Sequence, residues 1–526
     1  MKPAAWINMV RKLFISPAGV TILEHASITV LMMAAYAILI RRYGLEVTGI
    51  WVLMTALVNF AHVGDVWSKG LLSFMGEARG ANAPQNAASY ASTAIITGAL
   101  GYFILIALCG GVLYVLSPYV FPAHYLDGVT ATLPLLVLAY WLIASAGNFL
   151  QAFIGFGRPL IAAIQRVGGA VIFLIGIGIH ASDDGLASIF QIQIIQGAAM
   201  ICFGVIVYFG MIVRPLKHAI WDRRKLGELV RFGSKMLTVG FVQSAAEPII
   251  KFMVGHFAGI AVVAVMEIAN RLIQGVRGLT LSIGQIVITY FARIASQRKN
   301  PEKKMEKSAE ILSIADEFCT ISSLIISGSI AMFSLLFAFA PLLKWLFFNT
   351  EMARSETALF ALILVALGLA WLFNAIMSAA YFLLVALRHS ASLFITEVIR
   401  TGLIACFGFI MGQMFGLNGV LVGIILGFVI SSLYLFQVAA LLLQSSWQSL
   451  LRQITKTTKT TIIPLIWSII LIMIMIFENL ISSSLGISSD MLFLTANVVG
   501  PIGAVVLILK YGQINHLFHG IIALKP

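Results

Sequence analysis

Four pairs of oppositely charged residues lie inside apolar stretches at helical spacing. Asp65–Lys69, Glu247–Lys251 and Glu267–Arg271 are i,i+4 pairs, and Glu397–Arg400 is an i,i+3 pair. Residues three or four apart share one face of a helix. Further polar residues precede or follow them at the same spacing: Asn59 and His62 before Asp65, Gln243 before Glu247, and Asn270, Gln274 and Arg277 around Arg271. Glu24 and His25 add an acid and an imidazole to the first apolar run. Two kinds of chemistry are open to these groups. Lys69, Lys251, Arg271, Arg277 and Arg400 can hold an anionic cargo, Arg through planar bidentate contacts to phosphate and Lys as a point charge. Glu24, Asp65, Glu247 and Glu267 are candidate carriers of a coupling ion, H+ or Na+. The plainer alternative is insertion. An ionisable side chain at mid-bilayer costs about 2.5–3.5 kcal/mol, and an acid and a base one turn apart lower that cost by neutralising each other.

The elements that must position these residues are membrane spans. Of 526 residues 60% are hydrophobic and 10% charged, and the mean hydropathy is +0.99. A soluble domain needs far more polar surface than this. A span takes about 20 apolar residues to cross a core of about 30 Å. On that measure the chain is expected to have about fourteen transmembrane helices, at 20–40, 49–71, 90–116, 133–153, 160–179, 187–213, 232–254, 259–290, 318–339, 358–384, 392–414, 418–443, 461–481 and 491–509. The first run is full length and followed by others, so it reads as a span, not as a cleavable signal peptide. With the N-terminus in the cytoplasm, 24 of the 34 Lys and Arg are assigned to the cytoplasmic side, counting Arg166 near the cytoplasmic start of the span at 160–179. Arg41, Arg42, Lys344 and Arg354 fall opposite, and Lys69, Lys235, Lys251, Arg271, Arg277 and Arg400 fall within spans. The asymmetry obeys the positive-inside rule and predicts both termini inside. It also accounts for the net charge of +13, so no nucleic-acid partner is expected. The basic stretches 214–231 and 293–312 are expected to carry short amphipathic surface helices.

Several function classes are excluded on residue patterns. The four cysteines stand singly, which supports neither a disulfide framework nor a zinc site. No Gly-x-x-x-x-Gly-Lys-(Ser/Thr) loop occurs, so no nucleotide is expected to drive the protein. No metal or other cofactor is expected. A polysaccharide polymerase or ligase would need a large extracytoplasmic loop with Arg and His. The longest such loop, 116–133, holds only His124 and Asp127 as charged or imidazole groups, so the chain does not read as an enzyme.

The chain also repeats itself. Residues 42–51 link spans 1 and 2, and residues 256–265 link spans 7 and 8. Each stretch has an aromatic residue, then a small one, then a tight entry to the next helix. Gly155–Pro159 and Val385–His389 form a second, weaker echo between spans 4–5 and 10–11. Repeated bundles are common in transporters. The expected fold is therefore an all-α polytopic membrane protein of two pseudo-symmetric six-helix lobes plus two C-terminal helices. The N-lobe covers 1–213, a cytoplasmic basic linker 214–231, the C-lobe 232–443, and spans 13–14 with a cytoplasmic C-terminus 444–526.

The residues Tyr43-Gly44-Leu45-Glu46-Val47-Thr48-Gly49-Ile50-Trp51, followed by Asp65 and Glu77-Ala78-Arg79, resemble the first helical hairpin of Wzx-type polysaccharide flippases. Those flippases belong to the multidrug/oligosaccharidyl-lipid/polysaccharide (MOP) exporter superfamily. Phe232-Gly233 through Pro248, Phe291-Ala292-Arg293, Gly157-Arg158-Pro159 and residues 383–427 resemble further segments, so that the likeness covers most of 20–440. Two departures stand out: the acid of span 7 belongs to a Glu247-Pro248 step, and the later hairpin has Val263 in place of the second glycine. The resemblance implies a bacterial inner-membrane protein that flips undecaprenyl-pyrophosphate-linked oligosaccharide repeat units, of O-antigen or exopolysaccharide, by alternating access. It implies two lobes about a cleft lined by spans 1, 2, 7 and 8. Three of the four ion pairs fall on spans 2, 7 and 8, and Glu24 falls on span 1. On the implied fold these groups form a shared hydrophilic cavity whose cations meet the pyrophosphate. Implied partners are the lipid-linked glycan, membrane lipids, and the polymerase and chain-length proteins of the same pathway. A lipid II flippase is a sister reading. The alternative is a cation-coupled multidrug or metabolite antiporter of the same superfamily. That reading predicts isolated acids in an aromatic cavity and usually twelve spans, against which the six in-span cations and two extra spans argue.

Overall fold

A computed structural model describes residues 17–59, 71–72, 74–78, 81–180, 185–213, 221–297, 307–340, 343, 354–387, 389–458, 462–476 and 500–511. Among the described residues every regular element is a helix. Hydrocarbon dictates this, because each backbone N–H and C=O must be satisfied within its own segment. Nine of the described helices are long and apolar enough to cross a membrane, and the chain is a multi-pass helical membrane protein. The stretch 60–70 of expected span 2 and large parts of expected spans 13 and 14 lie outside the described residues, as do both termini.

The chain divides into two compact units, Met1–Ala264 and Val265–Pro526. The first begins with α1 (Pro17–Asn59), which contains all of expected span 1 and the start of span 2. Then come α2 (Pro84–Val120), α3 (Leu126–Gly155), α4 (Pro159–Ile179), α5 (Gly185–Val207) and α6 (Arg223–Ala258). Pro84 and Pro159 open their helices at the first turn, where a missing N–H goes unmissed. Helix α1 packs on α4, α3 packs on α2 and α5, and α6 lies against α1 and α2. At one end the helices close on a core of Ala87, Ala91, Phe149, Phe153 and Tyr208.

Glycine sets the links. Gly44 bends α1 at φ 77°, ψ 173°, and Gly259 ends α6 at φ 92°, ψ 161°. Only glycine occupies this region of backbone space without strain. The two bends are the same joint in two copies, which confirms the echo between the span 1–2 and span 7–8 links. They also correct its register. Gly259, not Ala258, stands opposite Gly44, so Ala264 and not Val263 stands opposite Gly49. Gly49 is a contact glycine: a Cβ built there would lie 2.2 Å from the carbonyl oxygen of Ile260.

The second unit takes in most of α7 (Ile260–Gln297), then α8 (Lys307–Ala338), α9 (Arg354–Ile376), α10 (Ser378–Ala386), α11 (Ser390–Phe415) and α12 (Leu417–Leu442). It ends with α13 (Trp447–Thr458), α14 (Ile462–Ile476) and α15 (Gly500–Tyr511). Helix α8 touches α9, α13, α14 and α15. The expected amphipathic helices within 214–231 and 293–312 are not separate elements where they are described. Residues from Arg223 onward form the opening turns of α6, and α7 runs on to Gln297. The amphipathic helix is α13, which buries Leu450, Ile454 and Thr458 four residues apart. Its Gln453 amide donates to Asp316 of α8 at 3.2 Å.

The closest helix pair is α11 with α12. Gly419, Gly423 and Gly427 recur every fourth residue along α12 and face α11 directly. Such spacing lets two backbones meet in lipid, where packing drives association. A Cβ on Gly423 would lie 2.4 Å from the amide nitrogen and 2.5 Å from the Cα of Gly408, which are backbone atoms without rotamers to yield. Gly423→Ala is expected to destabilise the purified protein by about 1–3 kcal/mol, read as a lower thermal unfolding midpoint in detergent. Gly402→Ala, where a Cβ meets nothing within 4 Å, is expected to raise the midpoint slightly.

Candidate functional site

In the second unit four helices bring charge and aromatic faces together. The guanidinium of Arg277 on α7 lies over the ring of Trp371 on α9 at 4.3 Å. The Trp371 ring is 4.8 Å from that of Phe428 on α12. Phe428 in turn carries the guanidinium of Arg400, on α11, at 5.2 Å. Two cations are thus joined through two aromatic rings. The negative face of an aromatic ring attracts a cation, by about 2 kcal/mol or more where water is excluded. Arg400 also donates to Glu397, and both side chains are only 6% exposed. Tyr381 of α10 lies within electrostatic reach of Glu397, Arg277 and Arg400. Along α7, Arg277 donates from Nη1 to Gln274 Oε1 at 3.2 Å. Glu267 is buried and accepts from Arg271 Nε at 2.6 Å, while the Arg271 side chain stays 40% exposed. The helical period places Glu267, Arg271 and Gln274 on one stripe.

In the first unit the acid of α1 is met from another helix. Buried Glu24 accepts from Arg166 Nη1 of α4 at 2.5 Å. Arg166 borders a cavity of about 270 Å³ whose other polar lining includes Gln151, Gln196 and Tyr102. Gln165 beside it donates to the Met200 carbonyl at 2.8 Å. Trp51, packed near Tyr36 and Phe173, gives its indole hydrogen to Gln193 at 3.3 Å. On α6, Lys251 and Glu247 form their i,i+4 pair at 2.7 Å. The lysine is the inward member, at 2% side-chain exposure against 48% for the glutamate.

Three of the four pairs read from the sequence therefore form as spaced. The fourth, Asp65–Lys69, lies outside the described residues together with His62. Arg277 and Arg400, which are 123 positions apart in the chain, are brought into one array. The sequence groups Arg166 with the cytoplasmic basic residues. It lies within α4 and its partner is Glu24. No spacing rule could have found that contact, because its members are 142 residues apart. Trp371, Phe428 and Tyr381 were also missed, since an aromatic residue in a span reads as lipid-facing until a cation is found on its face. Among the described residues no group of three or more His, Cys, Asp or Glu is arranged to hold a metal ion.

A family model for polysaccharide biosynthesis proteins matches residues 48–317, just over half the chain. Comparison with curated proteins gives no match. Among solved structures, the lipid II flippase MurJ in an inward closed conformation matches with a TM-score of 0.62 and 13% identity, over 93% of this chain and 97% of that one. An inward-facing multidrug resistance MATE family transporter of the MOP superfamily gives 0.59 and 17%, over 79% and 94%. A MOP superfamily transporter from Pyrococcus furiosus, described by the reverse polarity of its binding pocket, gives 0.53 and 16%, over 82% and 97%. At such identities the likeness is one of fold.

Removing one member of a buried ion pair strands the other. Glu397→Leu is expected to destabilise the protein by about 3–5 kcal/mol, because Arg400 then keeps an uncompensated buried charge. Glu397→Leu combined with Arg400→Met is expected to recover most of the loss, as measured by the thermal midpoint in detergent. Additive losses in the double variant would show that the two residues act independently.

Proposed function

Because this chain belongs to the polysaccharide biosynthesis protein family, we propose that it flips undecaprenyl-pyrophosphate-linked oligosaccharide repeat units across the bacterial inner membrane. It works by alternating access and draws on an ion gradient. The observation that carries this reading is the joined array Arg277–Trp371–Phe428–Arg400 inside an apolar helical unit. Cations held in hydrocarbon are costly and suit an anionic cargo. A site for cationic drugs would be weakened by the same charges, since specificity rests on repulsion as well as attraction.

On this reading Lys69, Lys251, Arg271, Arg277 and Arg400 supply the cationic contacts to pyrophosphate. Arg271 carries the most weight, because its side chain is accessible whereas those of Lys251 and Arg400 are nearly enclosed. Glu24, Asp65, Glu247 and Glu267 form the coupling set. Glu24 exchanges its ion against the charge of Arg166, which it contacts. The N-lobe 1–213 and C-lobe 232–443 are the moving parts, and segment 444–526 is an addition to them. The polymerase and chain-length proteins of the pathway receive the product.

The test is translocation of a fluorescent undecaprenyl-pyrophosphate glycan in proteoliposomes. Losing one charge-assisted contact to phosphate removes about 1.5–3 kcal/mol, so Arg271→Ala is expected to slow flipping roughly 10- to 100-fold in protein that still unfolds cooperatively, its thermal midpoint lowered because buried Glu267 loses the Arg271 contact. A wild type that moves no lipid-linked glycan but expels a cationic dye in exchange for protons would instead establish the antiporter. Collapsing the gradient with an ionophore is expected to stop wild-type flipping, and Glu24→Gln is expected to blunt its response to the gradient. Flipping that proceeds unchanged in both cases would rule out ion coupling.

A further inference from the structure

A second pocket in the first unit shares no lining residue with the Arg166 cavity. It measures about 330 Å³ and forms where three links meet: the bend of α1, the turn between α2 and α3, and the joint between α6 and α7. Its lining includes Glu46, Tyr119, His124, Tyr125, His256 and Gly259. All these links are expected on the extracytoplasmic side.

The side chains are built for hydroxyl groups. Tyr125 donates to Glu46 Oε2 at 2.6 Å, which fixes the carboxylate and leaves it acceptor capacity. The rings of His124 and Tyr125 lie 4.1 Å apart at 46°, and His256 is braced edge-on by Phe257. A neutral imidazole offers one donor and one acceptor. Tyr119 is 83% exposed and presents an aromatic face at the rim. Gly259, at φ +92°, has only open space where a Cβ would stand. A pyranose needs this combination: an aromatic face for its C–H side, and mixed donors and acceptors for neighbouring hydroxyls. Other ligands fit less well. Glu46 repels an anion, a lipid tail would leave Glu46 and the two imidazoles without polar contacts although Val120, Phe121, Pro122 and Ile260 also line the pocket, and the imidazole donors find no use with an ammonium group. The volume lies at the low end of small-molecule pockets, about 300–1,000 Å³, which suits one or two sugar rings but not a whole repeat unit.

We propose that this pocket binds a single uncharged pyranose unit, a hexose or N-acetylhexosamine, and acts as an exit site that engages the glycan as it leaves. Its place in transport rests on the flippase reading, but sugar binding is measured without transport. The experiment is saturation-transfer-difference NMR on the full chain in nanodiscs. The probes are glucose, galactose and N-acetylglucosamine, with glucuronate and ethanolamine as comparisons. At least one neutral sugar is expected to show ring-proton transfer, with glucuronate at least roughly fivefold weaker because of Glu46. Tyr119→Ala and Glu46→Gln are each expected to weaken the signal at least roughly tenfold, the loss of one good contact. Tyr119 projects into solvent, so its removal leaves the thermal midpoint in place. No transfer to any neutral sugar, transfer that survives both substitutions, or preference for ethanolamine would overturn the proposal. A chain that flips lipid-linked glycan but binds no sugar here refutes the exit site alone. One that binds sugar here but flips nothing refutes the transport reading alone.

Discussion

A charge carried into hydrocarbon has to be matched by another group of the same chain, and the arrangement of the helices follows from how that is done. Here the match is made in two ways. Lys251 with Glu247, Arg271 with Glu267 and Arg400 with Glu397 are satisfied along one helix. Each such pair can therefore enter the membrane already neutral. Glu24 and Arg166 are satisfied only when α1 and α4 pack, so that contact specifies a helix pairing as well as a charge balance. Arg277 and Arg400 take further support from the faces of Trp371 and Phe428. The polar interior of the second unit thereby fixes the mutual positions of α7, α9, α11 and α12.

The backbone is subject to the same constraint. Because unsatisfied amides are excluded from lipid, the chain can change direction only at short joints, and some of these joints need glycine. Gly44 and Gly259 adopt nearly the same positive-φ conformation in corresponding links. Their likeness is stronger evidence of internal duplication than any residue match between the two stretches. Elsewhere glycine serves contact, not bending: Gly419, Gly423 and Gly427 let α12 lie directly on α11. Rigid, closely fitted pairs of this kind suit a protein whose bundles move as bodies, since the helices inside each pair need not repack.

The fold by itself does not choose a cargo. A lipid II flippase and multidrug transporters have it alike, and function belongs to the groups placed on a fold. What bears on the cargo is the sign and number of the charges the helices hold. Isolated acids suit the capture of cations. Arginines stacked on aromatic rings, each with a nearby acid or amide, suit a large anion that must be bound and then released. A cation already paired within the protein holds phosphate less tightly than a bare one, because the acid competes for it. For a carrier that weakening is useful, since a cargo held too firmly is not released. On the proposed reading the pocket at the links extends the same division of labour, with charge for the pyrophosphate and aromatic faces for the sugar.

The sequence by itself determined the class, the apolar helices that the structure describes and the local ion pairs. Hydropathy over about 20 residues and spacing of three or four residues are short-range properties, so the nine described apolar helices and the Glu247–Lys251, Glu267–Arg271 and Glu397–Arg400 contacts were legible one helix at a time. The link between spans 1 and 2 was legible as a repeat, though its register was one residue off, because sequence likeness followed the aromatic residue while the backbone followed the glycine. Tertiary structure alone decided which helices share a charge. Glu24 meets Arg166, and Trp371 and Phe428 join Arg277 to Arg400, across separations of up to 142 residues. It also showed an amphipathic helix in α13, a segment that hydropathy had not singled out. The physical reason is common to these cases. Periodicity states which face of a helix is polar, but all polar faces in a bundle look alike, and only packing in three dimensions selects the partner.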